Sequence, residues 1–255
     1  MIAHEDWRMK KPWPLVALGI GAFLLFALVT LPASTVLSYF HPAGVTISGV
    51  SGTIWEGRAE AVRSGNTHVG SVEWDLNILP LFTGNLGADV KVTRSDGFAQ
   101  ASIAVSGARI TLHELNASLP LSALPPNVVR GGWTGTARLK LAQLAIENSW
   151  PVAATGTIEV ADLVGPANRP APLGGYKVVF PEGAATAQGL KGALSDTGGP
   201  FAVNGSVDIK KDRSYLVTGL IATRPGAPGD MSRTLEILGE PDAQGRRQFS
   251  IEGTM

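Results

Sequence analysis

Hydrophobic residues follow two patterns along this chain. From Leu15 to Leu31 they are continuous apart from Thr30, and no Asp, Glu, Lys or Arg stands between Lys11 and Glu56. Further on, apolar and polar residues repeatedly alternate with period two, the mark of half-buried antiparallel strands. Val72, Trp74 and Leu76 alternate with Glu73 and Asp75; Leu86, Ala88, Val90 and Val92 alternate with Gly87, Asp89, Lys91 and Thr93. Ala137, Leu139 and Leu141 stand opposite Arg138 and Lys140. Phe201, Val203, Val207 and Ile209 oppose Asn204, Ser206, Asp208 and Lys210, and near the end Phe249 and Ile251 oppose Ser250 and Glu252.

The continuous run reads as a membrane anchor. At about 1.5 Å per residue the stretch Leu15 to Leu31 covers roughly 26 Å, and a helix extended from Trp13 to Phe40 exceeds the ~30 Å hydrocarbon core. Trp7, Trp13 and Tyr39 flank it as interfacial aromatics do. Arg8, Lys10 and Lys11 place the first segment in the cytoplasm by the positive-inside rule. A cleaved signal peptide fits less well, because the run exceeds a 7 to 15 residue core and no A-x-A follows it directly. The expected division is therefore residues 1–11 cytoplasmic, 12–40 transmembrane, and 41–255 a periplasmic β-rich domain with a sub-boundary near 120–130.

Four strands are expected to start on one local pattern: Gly70-Ser-Val-Glu-Trp, Gly135-Thr-Ala-Arg-Leu, Gly156-Thr-Ile-Glu-Val and Gly205-Ser-Val-Asp-Ile. Glycine there supplies the freedom of a turn or bulge. The uneven intervals exclude a fixed-period solenoid and fit a meander of similar hairpins. Asp230 to Gly239 predicts one short helix, with Asp230 or Ser232 as cap, Met231, Leu235 and Leu238 on one face, and Gly239 and Pro241 ending it. Its apolar stripe is expected to plug one end of the sheet. The fold class is thus mainly β: one N-terminal transmembrane helix, then a curved antiparallel sheet with one short helix near the C-terminus.

Composition narrows the chemistry. The 255 residues include no Cys, which removes disulfides, thiolate nucleophiles and Cys-ligated metals. Twenty-one basic residues balance twenty-one acidic ones, so nothing attracts nucleic acid. Gly 31 and Pro 17 suit strands and turns. His4, His41, His68 and His113 are not at metal-ligand spacing, and His113 should face solvent beside Glu114. Gly131-Gly132 and Gly174-Gly175 lack the Lys-Ser/Thr of a phosphate loop, and no G-x-S-x-G elbow occurs. Asp196-Thr197-Gly198 is present once, within a stretch that reads as a hairpin loop, Ser195 to Gly199, rather than one half of an aspartic-protease dyad. Trp74 should face the core, and Trp133 and Trp150 should cap it from strand ends. No residue qualifies as catalytic, cofactor-binding or metal-ligating, and no cofactor is expected; the chain reads as a binding protein, not an enzyme.

Several segments carry a resemblance. Val50-Ser-Gly-Thr-Ile-Trp-Glu-Gly-Arg-Ala59, then Val72-Glu-Trp-Asp-Leu76 with Gly84 and Leu86, and finally Leu238-Gly239, Pro241-Asp242, Gly245 and Phe249-Ser-Ile-Glu-Gly253 resemble the protein N family of the bacterial type II secretion system. The stretch Asn168 to Pro200 matches no pattern of that family. The resemblance implies an accessory single-pass protein of the Gram-negative inner membrane with a periplasmic β-domain, supporting export of folded proteins across the outer membrane. Its implied partners are inner-membrane platform subunits, the outer-membrane secretin, or both. The alternative from the residues themselves is a periplasmic lipid-binding or lipid-transfer protein, since alternating strands also build an apolar β-trough.

Overall fold

The computed structural model describes residues 13–39, 44–65, 67–78, 84–124, 129, 132–166, 170–227 and 229–254. Helix α1 (Trp13–Val29) and helix α2 (Ala33–Tyr39) precede thirteen strands. These are β1 (Val45–Gly52), β2 (Glu56–Ser64), β3 (Thr67–Asn77), β4 (Leu86–Arg94), β5 (Gly97–Ser106), β6 (Arg109–Pro120), β7 (Thr134–Glu147), β8 (Trp150–Val164), β9 (Pro172–Phe180), β10 (Gly189–Gly198), β11 (Phe201–Lys210), β12 (Ser214–Thr223) and β13 (Arg247–Thr254). Every strand pairs antiparallel with its neighbours in sequence, giving one open sheet in the order β1 to β13. β6 and β7 pair from Arg109↔Glu147 to Pro120↔Thr136, so the sheet runs unbroken past residues 120–130.

The alternating segments all lie in strands, and their period sorts the sheet into two faces. One row of directly opposed residues crosses all thirteen strands: Val50, Ala59, Val72, Val92, Ala99, Ala117, Leu139, Ile158, Val178, Leu194, Gly205, Gly219 and Phe249. All are apolar or glycine. The row one residue away begins Ser51, Arg58, Glu73, Lys91, Gln100, Asn116, Lys140 and Thr157. Opposite charges meet across strands on that polar side, as in Arg58–Glu73, Arg138–Glu159 and Lys191–Asp208. Each exposed pair contributes well under about 1 kcal/mol, but like-charge register slips are disfavoured.

The sheet curls. In a flat sheet, strands two apart lie about 9.6 Å from each other, yet Cα atoms of β8 and β10, and of β9 and β11, approach within 8 Å. Ala154, Phe180, Ala184 and Leu190 cluster there with Leu144, Ile158, Val178 and Ile209, putting the apolar face inside the curl. A second cluster joins Phe201, Val203 and Leu235. Leu235 comes from helix α3 (Gly229–Leu235), which a 3-10 turn extends to Leu238 and which stops at Gly239, φ 94°. The helix therefore covers one end of the sheet as expected, through Leu235, while Leu238 stays exposed. It begins at Gly229, one residue before the expected cap Asp230.

The patterned glycines do not start strands. Gly70, Gly156 and Gly205 lie within β3, β8 and β11, and Gly135 is the second residue of β7. Gly70 and Gly156 have φ of 108° and 129° beside register shifts in the pairing. They are bulge positions at which a neighbouring backbone presses close. Residues 168–200, which match no pattern of the resembled family and whose element boundaries the sequence leaves open, form β9 and β10.

The N-terminal helix is also shorter than expected. Pro32 has no N–H to donate and instead bridges Thr53, so α1 ends at Val29 and α2 is a separate helix. No helix among the described residues is long and apolar enough to cross a membrane. The segment 1–11, with Arg8, Lys10 and Lys11, lies outside the described residues, as do His4, His41, Phe40 and Gly131.

Gly156→Ala is expected to lower stability by roughly 3 kcal/mol or more, through positive-φ strain plus overpacking, because its Cβ would fall 2.2 Å from the Lys140 carbonyl oxygen. Gly107→Ala, in open space, should cost only about 1–2 kcal/mol; paired denaturant melts measure the difference.

Candidate functional site

Two features distinguish the β1–β2 end of the molecule. The first is the seam between helix and sheet. The β1–β2 turn is built on Thr53, whose hydroxyl accepts the N–H groups of Trp55 (3.2 Å) and Glu56 (3.1 Å). This tight turn aims the Trp55 indole at α1, where its Nε1–H donates to the Leu28 carbonyl at 2.9 Å. The Ile54 N–H donates to the Leu31 carbonyl at 3.1 Å. The Leu28 carbonyl, in the last turn of α1, otherwise accepts only the Leu31 N–H at 3.4 Å, and the Leu31 carbonyl lies just beyond the helix. Trp74 of β3 then donates its Nε1–H to the Ile54 carbonyl at 3.2 Å. Gly57 makes this possible, since a Cβ there would stand 2.5 Å from the Trp74 ring. The sequence Thr-Ile-Trp-Glu-Gly is thus a clamp on the helix C-terminus.

The second feature is the contrast between the faces. The polar side over β1 to β5 holds a trough of about 820 Å³ lined by Arg58, Glu73, Asp75, Asp89, Lys91 and Gln100. Glu56, Asp75 and Asp89 are directly opposed on three successive strands, and the Ser102 hydroxyl donates to Asp89. The other side carries the apolar row, and eleven of its thirteen residues remain half-exposed, only Ala59 and Ala117 being buried. The chain exposes 17023 Å², against roughly 10700 Å² for a compact monomer of its 26.6 kDa. Among the described residues no second layer covers the sheet.

Helix α1 repeats that exposure. Leu15, Leu18, Phe23, Leu24, Leu25 and Phe26 are all exposed, so among the described residues apolar side chains project on every side of the helix uncovered.

The residues weighed for chemistry are dispersed. His113 is exposed on β6, opposite Ser102 and Gln143, with Glu114 at φ 52° beside it. Among the described residues no three His, Asp or Glu side chains are grouped to hold a metal ion. Asp196-Thr197-Gly198 lies in β10 rather than in a loop, and its aspartate is structural. Asp196 accepts the Val203 N–H at 2.9 Å and the Arg224 guanidinium at 2.5 Å. Burial pushes its pKa up, but the Val203 and Arg224 hydrogen bonds and the Arg224 charge outweigh that and hold it below the ordinary carboxylate value. Burial, reinforced by the Asp196 charge, raises the pKa of Tyr176. Trp74 sits on the apolar face, Trp150 is buried with its Nε1–H on the Lys210 carbonyl at 2.8 Å, and Trp133 is half-buried.

Sequence reasoning missed the Trp55–Leu28 contact and the part of the apolar row on β9 and β10. For the latter a signal existed: Leu190, Gly192 and Leu194 alternate with Lys191 and Ala193, and Tyr176 and Val178 flank Lys177. For the former there was none, because a side chain reaching a carbonyl 27 residues away leaves no local pattern.

Comparison with known proteins locates the fold. The family model for type II secretion system protein N matches residues 43–250. The chain is 29% identical to a type II secretion system protein N of Aeromonas hydrophila, over 96% of this chain and 99% of the relative. It is 25% identical to the protein of that name from Vibrio cholerae serotype O1, over 94% and 99% respectively. For that of Pectobacterium carotovorum subsp. carotovorum the identity is 22%, over 92% and 94%. No solved structure matches.

Two outcomes follow from the seam and the ion pair. Gly57→Ala should push the Trp74 ring out of place at a cost of about 1–3 kcal/mol, seen as faster proteolysis between Val29 and Ala33 and a shift in tryptophan emission. Asp196 has a depressed pKa when folded, so its contribution is present above the ordinary value of about 3.9 and fades as pH falls through the folded one. The melting-temperature gap between wild type and Asp196→Asn should stay constant from pH 7 to about 5 and close below about 4.

Proposed function

The chain belongs to the type II secretion system protein N family, and on that premise we propose that it is a non-enzymatic component of the type II secretion machinery, a membrane-anchored module that binds other subunits. The observation that carries the reading is the extent of the family match, which begins before β1 and reaches into β13. The whole meander is the family's domain.

Binding by strand addition suits this architecture. Among the described residues β1 and β13 are each hydrogen-bonded on one side only, and an unpaired edge accepts a strand from another chain. β13 presents Gln248, Ser250 and Glu252 to solvent on such an edge. Its partners would be inner-membrane platform subunits or the outer-membrane secretin, with the sheet in the periplasm.

Anchoring is assigned to α1. A helix that is hydrophobic all round is normally buried in protein or lipid, and among the described residues no protein covers this one. The three cationic residues Arg8, Lys10 and Lys11 before it favour a cytoplasmic N-terminus. The Trp55–Leu28 and Ile54–Leu31 hydrogen bonds then hold the sheet directly against the end of the anchor.

Two versions of the gene separate these roles in a strain whose secretion depends on it. The full chain should restore secretion and, with a photocrosslinker at Glu252, capture a subunit of the machinery. A version exported without residues 1–31 should fold but fail to restore secretion; full complementation by it would reduce α1 to a targeting device, and loss of secretion-system adducts would remove the binding role.

A further inference from the structure

We propose that the apolar face of the sheet is a binding site for the acyl chains of phospholipid. The middle of the face is apolar; Arg94, Asp196 and Arg247 share its alternation only at or near the ends of β4, β10 and β13, where Arg94 pairs with Asp96 and Asp196 with Arg224. The row from Val50 to Phe249 holds no hydrogen-bonding side chain across thirteen strands, twelve steps or about 58 Å at the usual strand spacing. A parallel row, Leu76, Ala88, Ile103, Leu112, Leu144 and Ala154, doubles its width over β3 to β8. Charged side chains of the same strands, among them Arg58, Glu73, Lys91, Lys140 and Glu159, stand on the opposite side.

Chemistry selects the occupant. An extended polypeptide laid across this face would bring backbone N–H and C=O groups to a surface that offers them no partner, at a cost of several kcal/mol for each buried group. An acyl chain has nothing to satisfy.

Continuity with α1 identifies the source. Ile78, Leu86 and Ile110 are 43%, 40% and 41% exposed and form an apolar rim at one end of the sheet. Leu86, Val105 and Ile110 are opposed on β4, β5 and β6. This is the end at which the β1–β2 turn grips α1, because Leu76, just before Ile78, donates its N–H to the Trp55 carbonyl. The apolar surface therefore passes from an uncovered helix, across the rim, onto the inner face of a curled sheet. Among the described residues the rim itself, Ile78, Leu86, Val105 and Ile110, carries no charge. The inference rests on the anchoring reading only for the origin of the lipid.

The test places p-benzoylphenylalanine, one position at a time, in the full chain in living cells. The positions are Leu139 and Val178 on the apolar face, Lys140 on the polar face, and Phe23 in α1, each variant first matched to wild type in protease resistance. Intact-mass spectra after irradiation should show phospholipid adducts at Leu139 and Val178 and none at Lys140. Adducts at Phe23 with none at Leu139 or Val178 would overturn the proposal and leave the anchor standing. Adducts at the two face positions without any at Phe23 would support it and sink the anchor. Polypeptide adducts at Leu139 and Val178 in place of lipid would overturn it, making the face a groove for a protein partner.

Discussion

In a sheet whose side chains alternate with period two, a one-residue slip between neighbouring strands turns the whole of one strand's apolar set toward water. Twelve pairings must agree here for thirteen residues to share one face. Among the described residues no helical layer lies across the sheet to enforce that agreement, α3 meeting only one end of it. The pairs enforce it themselves, through apolar contact on one side and, at Arg58–Glu73, Arg138–Glu159 and Lys191–Asp208, opposite charges on the other. Bulges are part of the same bookkeeping. Where the chain gains a residue, as between Leu141 and Gln143 opposite Gly156, a glycine absorbs the irregularity and the strand leaves the bulge with its faces correct.

What the sequence made legible follows from that constraint. Long strands with clean alternation, such as those of Val72 to Leu76 and Leu86 to Val92, declare both strand and face. Residues 168–200 declare it only faintly, in Leu190 and Leu194 about Lys191 and Ala193 and in Tyr176 and Val178 about Lys177, because Gly174, Gly175, Gly189 and Gly192 replace side chains that would mark the period. Those glycines have a reason that is visible only in three dimensions: at Gly174 a Cβ would meet the Gly198 carbonyl oxygen at 2.1 Å, and at Gly192 the Val178 and Phe180 side chains. The strong curl over β8 to β11 needs small residues, and small residues erase the pattern. Likewise Asp196 reads as loop material, while Arg224 and the Val203 N–H make it a strand residue.

The uncharged N-terminal stretch was legible in kind but not in detail. Hydropathy runs together Pro12 to Trp55, yet that span contains two helices, a proline break, β1 and a turn. The break matters more than the length. By ending α1 at Val29 it leaves the Leu28 carbonyl, held otherwise only by the Leu31 N–H at 3.4 Å, open to Trp55 and the Leu31 carbonyl open to Ile54, and so converts a helix terminus into a fastening point. A longer helix would have satisfied those carbonyls internally and left the sheet on a flexible tether.

The purely sequential strand order has a consequence for how the domain comes into being. Each strand is bonded only to the one made just before it and the one made just after. A chain emerging N-terminus first from a narrow channel can therefore lay down this sheet row by row, like knitting, with the most recent strand always serving as the template for the next. No early segment has to wait for a distant one, so contact order stays low and loop closure is brief. The open edge that such growth leaves behind at β13 is the same kind of surface that another strand, from any chain, would extend.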